Sequence, residues 1–222
     1  MSVTENLNDI LKTLPEGTNL VAVSKFHPAE CILEAYEAGQ RIFGESRAQE
    51  LCEKQKILPE DIQWHFIGHL QTNKIKQIVP FISLIQSVDS LKLLKEINKE
   101  GEKIGRVIPC LLQLHIAREE TKFGFSMEEC RELLSSGDWI DLKNIKLRGF
   151  MGMASLTDNI NTVRKEFRNL NDFFKETKRN FFPSAKSFSE LSIGMSDDYK
   201  IAIDEGSTMV RIGSAIFGQR NY

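Results

Sequence analysis

Lys25 ends the apolar run Leu20-Val21-Ala22-Val23-Ser24 and is followed by Phe26, His27 and Pro28. A primary amine at the carboxy-terminal lip of a buried strand is shifted by desolvation toward its neutral form, which attacks carbonyls to give a Schiff base. The alternative is a strand-end lysine reaching into solvent, the commoner fate of this residue type. A second group lies in the last quarter of the chain: Leu191-Ser192-Ile193-Gly194-Met195-Ser196-Asp197-Asp198, then Arg211-Ile212-Gly213-Ser214. Strand alternation puts Ser192, Gly194 and Ser196 on one face, and in the last strand turns Arg211 and Gly213 away from Val210 and Ile212. A phosphate is held by backbone N–H groups at a helix start, by a glycine that lets it approach, and by a hydroxyl donor. Gly213, Ser214 and Ser196 supply those parts, although the same residue types also make tight turns and small core positions. Arg211, on an inner face, needs either an acidic partner or a ligand acceptor to offset its desolvation.

These residues must be positioned by the elements around them. After a leading helix over 4–14, eight apolar runs read as strands, at 19–25, 41–45, 63–68, 84–87, 108–116, 147–154, 187–195 and 209–213. Helical patterns lie between them at 29–38, 48–57, 72–79, 90–104, 127–134, 160–179 and 198–204. Strand alternating with helix requires parallel pairing through right-handed crossovers. Eight such units predict a single α/β domain over 1–222, a (β/α)8 barrel of the TIM type with an extra amino-terminal helix. An open doubly wound sheet is the alternative, but it usually carries a glycine-rich loop after its first strand, and Lys25-Phe26-His27-Pro28 has no glycine. In the barrel, the loops after the strands gather at one mouth. Lys25 belongs there, on the same inward face as Val21 and Val23.

Composition narrows the function. The 222 residues are 41% hydrophobic and 27% charged, an ordinary globular balance, and 29 basic against 31 acidic side chains leave no field to gather nucleic acid or an anionic membrane. The polar, amphipathic start has no signal-peptide core and no later stretch is long enough to span a bilayer, so the expected location is cytoplasmic. Cysteines 31, 52, 110 and 130 are widely spaced without a CxxC pair, which predicts reduced thiols and no zinc site. His65 and His69 are four apart, but on a strand reading their rings do not converge on a metal. Arg118-Glu119-Glu120-Thr121-Lys122-Phe123-Gly124 reads as a lid or as a solvated charge run. Phe167, Leu170, Phe173 and Phe174 form the inner stripe of a long outer helix.

Taken with Phe43-Gly44-Glu45-Ser46-Arg47-Ala48-Gln49-Glu50, Trp64-His65-Phe66-Ile67-Gly68-His69-Leu70-Gln71-Thr72-Asn73-Lys74 and Gly152-Met153-Ala154, these blocks make the chain resemble the pyridoxal phosphate homeostasis proteins. That family is related to the amino-terminal barrel of alanine racemase, the type III fold of pyridoxal phosphate proteins. The resemblance implies pyridoxal 5'-phosphate held as an internal aldimine on Lys25. It also implies Arg211 at the pyridine nitrogen, the amides of Gly213 and Ser214 with the hydroxyl of Ser196 on the phosphate, and Asn73 beside the cofactor. Arginine only donates, so the ring nitrogen stays unprotonated and carbanion chemistry is weakened. Racemisation needs a second proton carrier, in racemases a tyrosine from a separate β domain. Here Tyr36 and Tyr199 fall in helices and Tyr222 ends the chain. The implied role is a monomeric cofactor carrier without assigned catalytic residues, buffering pyridoxal phosphate and delivering it to apo-enzymes with little turnover. A weakly active racemase-like enzyme and a cofactor-free barrel aldolase are the alternatives. The chain departs from the family pattern in Ser46, where many members have Asn, and in Phe26-His27, where a small polar pair is frequent.

Overall fold

A computed structural model describes residues 2–118 and 123–219. Helix α1 (Val3–Thr13) opens with a capping box in which Ser2 and Glu5 each accept from the other's backbone N–H, so that both orphan amides are satisfied. Eight βα units follow: β1 (Asn19–Val23), α2 (Ala29–Glu37), β2 (Ile42–Glu45), α3 (Ala48–Ile57), β3 (Gln63–Phe66), α4 (Ile75–Ile78), β4 (Leu84–Val88) and α5 (Leu91–Lys103) form the first half. The second half comprises β5 (Ile108–His115), α6 (Met127–Ser136), β6 (Ile145–Met153), α7 (Ile160–Phe181), β7 (Glu190–Ser192), α8 (Tyr199–Asp204), β8 (Met209–Ile212) and α9 (Ser214–Phe217). The strands pair in parallel and in chain order, and β8 closes on β1 with Val21 opposite Arg211 and Ala22 opposite Ile212.

Two apolar layers follow from the alternation of side chains. Val21, Leu84, Leu111, Met151 and Met209 are buried against one another although they come from five different strands, so their common ground is the barrel interior. Leu20, Ala22, Phe43 and Trp64 face the other way and pack under the helices. The expected stripe of α7 is buried there through Phe167, Leu170, Phe173 and Phe174. All four cysteines are free. No helix among the described residues is long and apolar enough to cross a membrane.

The expected segments differ from the observed ones where the site is built. The first strand stops at Val23, so Lys25 lies in the turn beyond it. The seventh is only three residues long because Gly194 has φ +95, a left-handed conformation that breaks the alternation. A Cβ at Gly194 would lie 2.7 Å from that of Ala202 and 2.9 Å from the Cα of Tyr199, so this glycine faces α8 and not the barrel interior. The reading of 72–79 as one helix becomes a 3-10 turn, Thr72–Lys74, leading into α4. Helix α9 had no counterpart in the expected pattern.

Candidate functional site

The mouth of the barrel is built where β8 meets β1. Arg211 is 4% exposed and points inward, next to Val21 on the neighbouring strand. Its Nη1 donates to the carbonyl oxygen and to Oγ of Ser192, both at 2.7 Å, and its Nη2 donates to the Gly152 carbonyl at 2.9 Å. A guanidinium has five N–H groups, so this holds the side chain rigidly and leaves two for a ligand. Burial pulls its pKa down to about 10, opposed by the carboxylate of Asp198, and it remains cationic at neutral pH.

A buried chain of hydrogen bonds holds Arg211 from beneath. Ser192 Oγ donates to Gln86 Oε1 at 2.7 Å, and Gln86 Nε2 donates to Met209 Sδ at 3.2 Å and to His65 Nδ1 at 2.9 Å. His65 is therefore an acceptor and neutral, its pKa pushed down to about 3 by burial and then by the charge of Arg148.

Ser196 reaches the same place by a different route from strand alternation. It sits in the turn after Gly194, where Asp198 Oδ1 accepts from the Met195 N–H at 2.5 Å and pins the loop. Ser196 Oγ accepts from the Gly213 N–H at 3.4 Å, which brings a hydroxyl and a backbone amide to one spot at the start of α9. Gly213 eases a close approach, since a Cβ there would lie 3.1 Å from the Val23 carbonyl oxygen and push it by a few tenths of an ångström. Two residues past Val23, half-buried Lys25 stands in the adjoining turn, and the ring of His27 packs 5.2 Å from that of Phe217 on α9. Ser214 is exposed at the first position of α9.

Residues 2–221 match the family model for the alanine racemase N-terminal domain. A pyridoxal phosphate homeostasis protein of Aquifex aeolicus is 36% identical over 233 residues, covering 100% of both chains. This chain belongs to the pyridoxal phosphate homeostasis protein family. A member from Schizosaccharomyces pombe is 39% identical over 204 residues, 90% of this chain and 84% of that protein. Among solved structures, PipY of Synechococcus elongatus with pyridoxal phosphate bound has a TM-score of 0.88 at 35% identity, covering 98% of this chain and 100% of that one. PipY without the cofactor scores 0.90 over the same shares. Alanine racemase of Clostridium difficile shares the fold, with a TM-score of 0.79 at 16% identity, and this chain covers 57% of it.

Of the residues the sequence singled out for this family's cofactor, Ser196, Arg211 and Gly213 are brought together beside the turn of Lys25. Asn73 stands exposed in the 3-10 turn after β3, at the same end of the barrel. His69 bonds Asp89 at 3.0 Å and stacks on Phe123, away from the buried ring of His65. Residues 119–122 of the expected lid, and Tyr222, lie outside the described residues. Sequence reading missed the buried chain from Gln86 to Ser192 and the ion cluster of Glu45, Glu50 and Lys54 behind Lys25. The only signal for the cluster was the Glu50 and Lys54 spacing of four on one helix.

Proposed function

We propose that this protein binds pyridoxal 5'-phosphate covalently through Lys25 and serves in homeostasis of that cofactor, with little turnover. The observation that carries the reading is the pairing of Ser196 Oγ with the Gly213 amide, next to Arg211 with two N–H groups unspent, on the strand beside the Lys25 turn. Bound, the cofactor would supply an aldehyde for condensation with an amine, in which nitrogen would replace the aldehyde oxygen and the oxygen would leave as water with the amine's two protons. The chain's own residues do the rest. Ser196, Gly213 and Ser214 would donate to the phosphate, the Gly213 amide leaving its long bond to Ser196 Oγ, while Arg211 would donate to the ring nitrogen and Asn73 would lend a polar side chain at the rim.

Low turnover is supported by what surrounds the site. The hydroxyl of Tyr36 donates to Asp61 at 2.7 Å, and that of Tyr199 lies 3.1 Å from Thr13 Oγ1 on α1, so both belong to the outer layer. Arg211 gives the ring nitrogen a donor and not a proton. We read the protein as a cytoplasmic monomer that buffers the cofactor and passes it to apo-enzymes, without affinity for nucleic acid or membrane.

The test is direct. Protein saturated with pyridoxal phosphate is expected to be yellow, to lose its visible band on borohydride reduction, and to carry the cofactor mass on the peptide containing Lys25. Lys25 unmodified after reduction overturns the reading. The second reading, a slow amino-acid enzyme, has one observation in its favour. His115 lies at the inward end of β5 beside Met153, and its Nε2 is buried without a hydrogen-bond partner among the described residues. Loss of the α-hydrogen or of chirality from single amino acids at enzyme-like rates would establish it.

A further inference from the structure

Helix α3 grips the chain on both sides of Lys25. Lys54, 7% exposed, spends its three ammonium N–H groups on the Ser24 carbonyl at 2.8 Å, Glu45 Oε1 at 2.7 Å and Glu50 Oε1 at 2.7 Å. Ser24 Oγ adds a bond to Glu45 Oε1 at 2.6 Å. On the other side of Lys25, the Phe26 N–H donates to Glu50 Oε1 at 2.7 Å, and the Arg47 guanidinium lies 4.7 Å from the centre of the Phe26 ring. Arg47, the residue that caps α3, and Glu50 and Lys54 within it recur at three and four residues, so they line one side of the helix.

Two features distinguish this stripe from ordinary packing. Phe26 has φ 67, and it is the one non-glycine among the described residues with positive φ. That conformation is disfavoured for a β-substituted residue and persists only where the surroundings enforce it. Glu45, moreover, is fully buried with its Oε2 unpartnered among the described residues, a costly arrangement for a merely structural support.

We propose that Arg47, Glu50 and Lys54, with Glu45 behind them, are positioning residues that fix the turn on either side of Lys25 and so aim its amine at the aldehyde carbon. They act by holding the Ser24 carbonyl and the Phe26 amide, and the step they serve is the condensation given above, which needs no other reactant. This rests on the reading of Lys25 as the attachment point.

The experiment uses the cofactor-free full chain and the pair Glu50→Ala and Glu50→Gln. Glu50 is partly exposed, and Gln keeps an acceptor for the Phe26 N–H, whereas Ala removes it. Two rates are measured: rise of the visible band after addition of pyridoxal phosphate, and acetylation of Lys25 by acetic anhydride relative to an exposed lysine, followed by peptide mass. Glu50→Ala is expected to change both by about tenfold, with Glu50→Gln within about twofold of the parent and both melting temperatures close to it. Wild-type rates for Glu50→Ala, or equal losses in the two variants, overturn the clamp. If the parent itself forms no adduct at Lys25, the functional reading falls and the clamp is decided by acetylation alone. Lys54→Met is the stronger lesion. Should it fail to fold because Glu45 is left unpaired, the Glu50 pair still decides.

Discussion

The two ends of one barrel use the same kinds of polar residue in opposite ways. At the amino-terminal end of the strands, Arg148 pairs with Glu190 at 2.8 Å beside a cavity of about 180 Å3 whose lining includes Asn19, Gln63 and neutral His65. There, charge meets charge within the fold. At the mouth, the hydrogen-bond acceptors that hold Arg211 among the described residues are neutral, with the Asp198 carboxylate acting on it only through its charge, and the Ser196 to Gly213 bond is long at 3.4 Å. A guanidinium supported by carbonyl and hydroxyl oxygens keeps more of its charge for a ligand than one already paired with a carboxylate. Inside one barrel, the partner more than the residue type separates an arginine spent within the fold from one with N–H groups to spare.

The largest effect that tests this contrast is at Lys25. Lys25→Ala is expected to abolish the visible band and the reducible adduct, with stability within about 0.5 kcal/mol of the parent by urea unfolding. A retained band would move the site away from the mouth. Next is Arg211→Met, which removes charge-assisted donors. Equilibrium dialysis is expected to show pyridoxal phosphate retention weaker by roughly 1.5–3 kcal/mol, with the covalent link still formed and its spectrum shifted. Arg148→Met, at the opposite end, is expected to lower stability and leave retention unchanged. If the two arginine variants behave alike, the comparison fails.

A smaller effect comes from His65. Its pKa is lowered from 6.5 to about 3, so the unfolded chain binds one more proton below pH 6.5 and stability falls as pH falls through that window. The slope is about 1.4 kcal/mol per pH unit, or roughly 2 kcal/mol by pH 5. Glu45, whose pKa burial raises, works in the opposite direction, so the informative quantity is the difference between the parent and His65→Gln in urea unfolding between pH 6.5 and 5. A flat difference would mean that the ring is protonated when folded. The smallest effect is expected from Gly213→Ala, whose Cβ would press on Val23 and lower retention by about 1 kcal/mol while barely moving the melting temperature.

Much of the fold was legible because alternation of strand and helix leaves few ways to bury both faces of a parallel sheet. Arg211 was legible as a candidate for a related reason: a cation on an inward strand position conflicts with core packing, and such conflicts flag candidate sites. Lys25 and Gly213 were legible by residue type alone, and they stand just past the ends of β1 and β8. Ser196 was found by an argument that does not hold: it was placed by extending strand alternation through Gly194, where the chain in fact turns, and it reaches Gly213 from a loop.

By itself the sequence determined the barrel, its order of strands and the residue types available at its mouth, since these follow from local periodicity and from chemistry carried by single side chains. Tertiary structure alone decided which donors are spent and which are free. The chain from His65 through Gln86 and Ser192 to Arg211, and the grip of Lys54 and Glu50 on the Lys25 turn, join residues far apart in sequence or on different elements. Hydrogen-bond partnership across a closed barrel depends on register and on the positions at which strands end. A difference of two residues at Val23 or of three at Ser192 changes that partnership without altering the pattern from which the strands were read.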